Sequence, residues 1–395
     1  MEQPMKSVRD IDVTSKKIFV RVDYNVPVDE NLNITDDNRI LETLDLIQYL
    51  VKKQAKIILA SHMGRPNGKK DPNLSLAPVA ERLSRILEHP VLFVDDCIGD
   101  DVEKIVGQLK EGQVMLLENL RFHKEEKDNN EAFAKKLADL CDVYVNNAFA
   151  VSHRDQASVT GIPRFAKESV AGFLLEKEVQ SYYDSVENPK RPLVAIIGGA
   201  KVSSKLAALK NMLKFVDQFI IGGAMANTFL KSQRVDTKGS LIEEGLLNTA
   251  ADIVQKAKEQ GIDFMLPCDL VCAETFDKNA RVKTVLLDQI PDQWMAMDIG
   301  PKTALKYAKA IKSAQTIVWN GPMGVFEMEK FMTGTQIVAD AIADSSAFSI
   351  IGGGDTGLAA KKCKVTDKIN YISTGGGAFL HLMEGKKLPG VVALE

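Results

Sequence analysis

The chain has no apolar run close to the roughly 20 residues that a membrane-spanning helix needs. Its opening, Met1-Glu-Gln-Pro-Met-Lys-Ser7, has no apolar core of a secretory signal. It also has no excess of either charge. The formal net charge of −3 gives no global basic field of the kind that draws a protein to nucleic acid. Cysteine is scarce, with five residues in 395. Cys268 and Cys272 stand close together, but no histidine or second cysteine pair accompanies them. Their spacing therefore argues against a zinc site, and thiols buried in a reducing cytosol are the expectation. Cys97, Cys141 and Cys363 lie in no nucleophile signature. The phosphate-loop pattern G-x-x-x-x-G-K-[ST] is missing. No histidine-rich or paired-carboxylate constellation points to hydrolysis. What remains is a composition with 45% hydrophobic and 26% charged residues, ordinary for a chain with full cores, and a length that favours two domains.

Glycine is where the sequence is distinctive. The apolar run from Ala347 to Ile351 reads as a buried strand, followed by Gly352-Gly-Gly-Asp-Thr356 and a helical pattern carrying Ala359 and Ala360. Strand, glycine turn and helix together aim free backbone N–H groups at an anion. A carboxylate at Asp355 would repel a bare phosphate, but it suits one that carries a magnesium ion. The same residues satisfy G-x-G-x-x-G through Gly352, Gly354 and Gly357. That dinucleotide fingerprint expects an acid about 20 positions on, at the end of the next strand. Here the next strand ends in Ser373-Thr374 and further glycines. A plain packing turn is the third reading, although it needs only one or two glycines.

Apolar runs alternate with amphipathic stretches along most of the chain. Strands are expected at Ile18–Val22, Ile57–Ala60, Val91–Val94, Val114–Leu117 and Val143–Val145 in the first half. In the second half they are expected at Leu193–Ile197, Gln218–Ile221, Phe264–Leu266, Thr316–Val318, Phe348–Ile351 and Asn370–Ile372. Helices are expected between them, for example over Asn38–Gln54 and Ala77–Leu87. Such alternation gives parallel sheets with right-handed crossovers, whose ligands sit at the carboxyl ends of strands. Glu168–Tyr183 reads as one long helix, broken by Asn188-Pro-Lys-Arg-Pro192 at the boundary between domains.

The strand tips differ between the halves. The first half ends its strands in Arg21-Val-Asp-Tyr-Asn25, Ser61-His-Met-Gly-Arg65, Glu118-Asn-Leu-Arg121 and Asn146 through Arg154. The second half ends them in Gly198-Gly-Ala-Lys201, Gly222-Gly-Ala-Met225, Asn320-Gly-Pro-Met-Gly324, Gly352-Gly-Gly-Asp355 and Thr374-Gly-Gly-Gly377. Two different anions are implied, one held by charged side chains and one by backbone amides. Arg39, His62, Arg65, Arg121, His153 and Arg154 are candidates for a single basic pocket, since arginine forks suit carboxylate and phosphate. Asp23 and Asn25 would suit a ligand hydroxyl. Taken singly, each could equally be a surface charge, a turn residue or a core histidine. Lys201 and Lys205 stand four apart, on one face of a helix expected to begin there, with an anion between them.

Arg21-Val-Asp-Tyr-Asn-Val-Pro27, Ser61-His-Met-Gly-Arg-Pro66, Leu117-Glu-Asn-Leu-Arg-Phe122, Gly198-Gly-Ala-Lys-Val-Ser203, Val318-Trp-Asn-Gly-Pro-Met-Gly-Val-Phe-Glu327 and Gly352-Gly-Gly-Asp-Thr356 together resemble the phosphoglycerate kinase family, in order and over essentially the whole chain. The resemblance implies an α/β fold of two doubly wound parallel-sheet domains facing across a hinged cleft. It implies magnesium-dependent phosphoryl transfer from 1,3-bisphosphoglycerate to ADP, giving 3-phosphoglycerate and ATP, by a cytoplasmic monomer without nucleic-acid or membrane partners. Residues 1–170 would form the 3-phosphoglycerate domain, with the tail 380–395 returning to it. Residues 171–191 would link to a nucleotide domain at 192–379.

Carried over onto this sequence, Asp23, Asn25, Arg39, His62, Arg65, Arg121, His153 and Arg154 would hold the glycerate. Gly199, Ala200, Lys201, Lys205, Gly223, Gly300, Asn320, Pro322, Glu327, Gly353, Gly354, Asp355 and Thr356 would hold the nucleotide, with Glu327 on the ribose and Asp355 on magnesium. Arg39, Lys201 and the amide of Gly376 would stabilise the moving phosphoryl group. Asn147, Ala150, Gln156, Ala224, Phe379 and His381 depart from the usual family pattern, which bears on hinge behaviour and rate before it bears on activity. Two rivals remain. A nicotinamide oxidoreductase would change absorbance and need no magnesium, and a binding protein would take nucleotide without turnover.

Overall fold

The structure, a computed structural model, describes residues 5–395. Met1–Pro4, part of the stretch read for a signal core, lies outside the described residues. No helix among the described residues is long and apolar enough to cross a membrane. The chain divides into two compact units, Met1–Val179 with Lys387–Glu395, and Gln180–Lys386.

In the first unit six strands form one parallel sheet: β1 (Lys17–Arg21), β2 (Lys56–Ala60), β3 (Val91–Val94), β4 (Val114–Leu117), β5 (Val143–Asn146) and β6 (Ser169–Ala171). Their spatial order is β3-β4-β2-β1-β5-β6. Alternating residues of each strand feed the two faces of the sheet. Ile18 and Val20, with Ile57, Leu59, Val114, Leu116, Val143 and Val145, pack into one core. Phe19, with Ile58, Ala60, Met115, Leu117 and Tyr144, packs into the other. Because both faces are covered, the strands are near-continuous apolar runs, the pattern of a buried parallel sheet. The winding direction reverses between β1 and β5, so the crevice expected to take a ligand lies past their carboxyl ends.

The second unit repeats the plan with β7 (Leu193–Ile197), β8 (Gln218–Ile221), β9 (Asp263–Met265), β13 (Thr316–Asn320), β14 (Phe348–Ile351) and β15 (Tyr371–Ile372). The order is β15-β14-β13-β7-β8-β9, all parallel. Its reversal lies between β7 and β13. A separate antiparallel sheet, β11-β10-β12, is built from β10 (Asp269–Ala273), β11 (Val282–Leu286) and β12 (Met295–Ile299). The sequence pattern does not single it out, because Val282–Leu286 is a short, largely exposed strand whose Val285 alone packs on a small apolar cluster.

Three local expectations are corrected. The helix expected over Asn38–Gln54 is two, Asn38–Leu41 and Leu44–Lys52. The break falls at Thr43, whose buried hydroxyl bonds to the Ile40 carbonyl at 2.8 Å and to the Tyr24 hydroxyl at 2.8 Å. Such side-chain bonding competes with continuation of the helix. The long helix expected from Glu168 begins at Phe173 instead, because Ser169–Ala171 pairs with β5 as a sixth strand. Sheet hydrogen bonds outweigh the helical pattern there. Lys201 and Lys205 do not share a helix face, since the helix starts at Leu206. The Ser203 N–H and hydroxyl donate to Glu243 at 2.9 and 2.6 Å, and the Ser204 hydroxyl donates to the Lys201 carbonyl at 2.8 Å, holding the segment as turns.

The last residues lie against β5. The Gly390 N–H donates to the Ser152 carbonyl at 2.8 Å, and the Asn146 side-chain amide donates to the Gly390 carbonyl at 3.1 Å.

Candidate functional site

In the first unit the strand ends gather the charges named above. Asp23 and Asn25 follow β1, His62 and Arg65 follow β2, Arg121 follows β4, and His153 and Arg154 follow β5. Arg39, from the short helix Asn38–Leu41, pairs with the carboxylate of Asp23. The Asn25 side-chain oxygen accepts from the Gly64 N–H at 2.8 Å, and Arg121 donates to the Gly64 carbonyl at 2.8 Å, so the β1 and β4 tips are both tied to the β2 tip. Arg65, Arg121 and Arg154 line a cavity of about 400 Å³. Burial, reinforced by the charges of Arg154 and Arg21, lowers Arg121 to about 10, still fully cationic at neutral pH. The arrangement can neutralise an anion of several charges while Asp23 accepts from a hydroxyl.

His62 is buried, and its pKa lies well below the ordinary value. Burial is the main cause, followed by the charges of Arg21, Arg121, Arg154 and Arg39. The Asp23 carboxylate lies 3.7 Å from Nδ1 and would act in the other direction. It loses because it is already paired to Arg39 and is outnumbered by guanidinium groups. Arg21 Nη2 lies 3.2 Å from Nδ1 and can only donate, so Nδ1 accepts and the ring proton sits on Nε2. His62 therefore presents a neutral N–H donor.

A stability consequence follows. The folded ring stays neutral while the unfolded one takes up a proton below about pH 6.5. Its contribution is thus present above that pH and is lost as pH falls toward the depressed folded value. The slope is up to about 1.4 kcal/mol per pH unit. His62→Gln is expected to remove this part of the decline in urea midpoint between pH 7 and 5. Parallel midpoint curves for the two proteins would refute the assignment.

Arg21 was not a sequence candidate, yet it organises the pocket. It is fully buried, donates from Nε to the Ser158 hydroxyl at 2.8 Å, and faces His62. Ser158 in turn donates from its hydroxyl and its N–H to buried Glu126, at 2.6 and 2.9 Å. The available signal was a cation directly closing the apolar run Ile18-Phe-Val20 of a buried strand.

In the second unit the glycine tips converge. A Cβ on Gly198 would lie 2.0 Å from the Pro322 carbonyl, and one on Gly321 would lie 2.2 Å from that of Gly198. Only glycine permits the β7 and β13 tips to touch at the reversal point. Gly353 has φ 102° and precedes the helix Gly354–Lys362. Gly376 opens the helix Gly376–Met383, and a Cβ there would lie 2.8 Å from the Gly353 Cα. Two helix N-termini thus approach one another at the β14 and β15 tips, giving a concentration of N–H groups suited to phosphates.

Polar side chains lock these turns. Thr356 Oγ1 accepts from the Gly321 N–H at 2.7 Å and donates to the Gly352 carbonyl at 3.0 Å. The Asn320 amide donates to the Gly352 carbonyl at 2.7 Å, while its oxygen accepts from Lys205. Burial lowers the pKa of Lys205, and the nearby charge of Asp355 opposes that shift. Lys201, after Gly199 and Ala200, is exposed, as are Glu327 and Asp355. The Gly223 turn packs on Gly199.

Gly300 has a packing reason of its own. A Cβ there would lie 2.2 Å from the carboxyl carbon of Asp269, which accepts from the Lys302 and Thr303 N–H groups. Lys362 was also missed; its ammonium donates to the Phe326 and Glu327 carbonyls at 2.8 and 3.0 Å and fixes the turn bearing Glu327.

Of the departures, Phe379 is a core residue, edge-on to Tyr182 at 5.8 Å. Asn147 accepts from the Leu174 N–H at 2.9 Å, while its buried amide nitrogen has no partner among the described residues. The thiols of Cys97, Cys141, Cys272 and Cys363 are all pushed up by burial, so none is a ready nucleophile.

Residues 8–386 match the family model described as phosphoglycerate kinase. The phosphoglycerate kinase of Desulforapulum autotrophicum is 62% identical over 391 residues, covering 99% of this chain and 100% of that one. That of Geotalea uraniireducens is 53% identical over 384 residues, covering 97% and 96%. Among solved structures, phosphoglycerate kinase from Coxiella burnetii superposes with a TM-score of 0.92 at 42% identity, covering 99% of each chain. That from Pyrococcus horikoshii gives 0.84 at 34% identity, covering 99% and 98%.

Proposed function

The chain belongs to the phosphoglycerate kinase family, and from that premise we propose a division of labour between its two loop clusters. The activity is phosphoryl transfer from 1,3-bisphosphoglycerate to ADP, a kinase reaction of glycolysis. In the proposal, the first-unit cluster of Asp23, Asn25, Arg39, His62, Arg65, Arg121, His153 and Arg154 holds the glycerate. The second-unit cluster of glycine tips, with Lys205, Asn320, Thr356 and Glu327, holds the nucleotide. The corresponding functional partition is 1–170 with 380–395, 171–191 as linker, and 192–379, whereas the compact units themselves divide after Val179 and after Lys386. The protein acts as a cytoplasmic monomer, and the clusters close on one another during turnover.

The observation that carries the reading is the chemical contrast between the clusters. One offers guanidinium forks and a neutral imidazole donor; the other offers backbone amides. A phosphoglycerate and a nucleotide polyphosphate differ in the matching way.

Asp355 fits a magnesium ion. Its exposed carboxylate stands in the first turn of a helix beside the glycine tips, and carboxylate plus phosphate oxygens are the donors a hard cation takes. When bound there with the nucleotide, magnesium would neutralise phosphate charge. The chain's own residues do the rest. In the ATP-forming direction the acceptor is already a phosphate oxygen, so no general base is required. In-line positioning and neutralised charge are what phosphoryl transfer needs. Arg39, Lys201 and the amide of Gly376 stabilise the equatorial oxygens of the group in flight. Closure excludes water, to which the acyl phosphate would otherwise be lost.

The test is a coupled assay with ATP, 3-phosphoglycerate and magnesium. Turnover requiring all three is expected, and its absence would remove the reading. Asp355→Asn is expected to keep the fold, weaken productive magnesium–nucleotide binding and sharply lower the rate. A rate with the same magnesium dependence as the parent protein would sink the metal assignment.

A further inference from the structure

One cluster of metal-ligating side chains adjoins the first loop set: His123, two residues past Arg121, lines the same cavity as Arg65, Arg121 and Arg154. Asp96 and Cys97 follow β3, and His123 follows the turn after β4. The strands are parallel neighbours, with Val94 opposite Leu117, so their carboxyl-end loops run side by side. That brings together residues 26 apart in sequence. One donor atom from each of Asp96, Cys97 and His123 lies within 4.8 Å of the other two. His123 Nε2 is already 2.7 Å from Asp96 Oδ1. We propose that Asp96, Cys97 and His123 form a site for a thiophilic divalent transition metal, zinc in particular, with water as the fourth ligand.

Tetrahedral zinc holds sulfur at about 2.3 Å and nitrogen or oxygen at about 2.0–2.2 Å, which sets ligand atoms roughly 3.3–3.7 Å apart. Metal binding would draw these donor atoms to that spacing, with the metal replacing the His123–Asp96 hydrogen bond. Coordination by sulfur displaces the thiol proton, which leaves to solvent. The ring of His123 is already oriented, lying 5.4 Å from Phe133 at a 34° tilt. Access is from the side of Asp96 and His123, whose side chains are 53% and 25% exposed, whereas Cys97 is 1% exposed and forms the floor. The carboxylates of Glu126 and Glu118 add negative potential at the sulfur. Lys70 nearby is engaged by Asp95 at 2.8 Å. The mixed sulfur, nitrogen and oxygen set selects against magnesium, which demands oxygen ligands in octahedral geometry. The site is therefore chemically separate from Asp355.

The test uses the full chain, stripped with chelator and titrated with Co²⁺ alone. One equivalent is expected to produce a sulfur-to-cobalt charge-transfer band that Zn²⁺ abolishes and excess Mg²⁺ does not. Cys97→Ser is expected to remove the band. His123→Gln, at a partly exposed position, is expected to weaken Co²⁺ binding by at least about 100-fold, the upper end of what loss of even a supporting partner costs. The proposal is overturned by the absence of the band in the parent protein. It is equally overturned by a band that survives Cys97→Ser and disappears in a variant of the exposed Cys268. If Cys97→Ser does not fold, unchanged affinity in His123→Gln overturns the proposal by itself.

Discussion

Lys201→Ala is expected to lower turnover by about 10²–10³, roughly 2.7–4 kcal/mol, while changing nucleotide affinity far less. The contrast with Lys205 makes this a specific claim. Lys205 is half-buried and bonded to the Asn320 side chain, so it is held in place before any ligand arrives. Lys201 is exposed at the end of the Gly198-Gly199-Ala200 turn and makes no ion pair among the described residues. A lysine with that freedom can follow charge as it spreads onto the equatorial oxygens, and an interaction strongest in the transition state raises turnover rather than binding. Lys205→Ala is expected to show its main effect in nucleotide affinity. Steady-state kinetics with separate nucleotide titrations of both variants make the comparison. Near-normal turnover in Lys201→Ala would show that this lysine is not a transition-state ligand.

Arg21→Ala is expected to destabilise the first unit by about 3–5 kcal/mol, read from denaturant unfolding. Arg21 is fully buried and links His62 to Ser158, which holds the buried Glu126. Removing the guanidinium leaves a large void and strands a carboxylate inside a protein core. Ser158→Ala, which deletes only the hydroxyl between them, is expected to cost about 1–3 kcal/mol. A loss under about 1 kcal/mol for Arg21→Ala would mean that the network adds nothing beyond what water could replace. The two substitutions also separate roles. Lys201→Ala is expected to act on the reaction, whereas Arg21→Ala is expected to act through the His62 ring, whose Nδ1 Arg21 faces.

Both units were legible where the physics is local. Continuous apolar runs identified eleven of the strands to within a residue or two, because a strand covered on both faces must be apolar throughout. The glycine tips were legible because backbone contact at a sheet's reversal point leaves no room for a side chain, and Gly198 and Gly321 meet that condition. The Arg and His tips were legible as a set because loops at one sheet edge face one crevice.

What the sequence determined by itself was the composition of each element, the order of the elements, and through its motifs the family. What only the tertiary structure decided depends on partners distant in the chain. Ser169–Ala171 became a strand because β5 offered it hydrogen bonds. Lys201 left the helix because Glu243 captured Ser203, 40 residues away. Arg21 proved central because Ser158 and His62 surround it. The Asp96, Cys97 and His123 cluster exists because β3 and β4 are neighbours. In each case the deciding contact is a hydrogen bond or a charge contact across the fold, and sequence spacing carries no record of it.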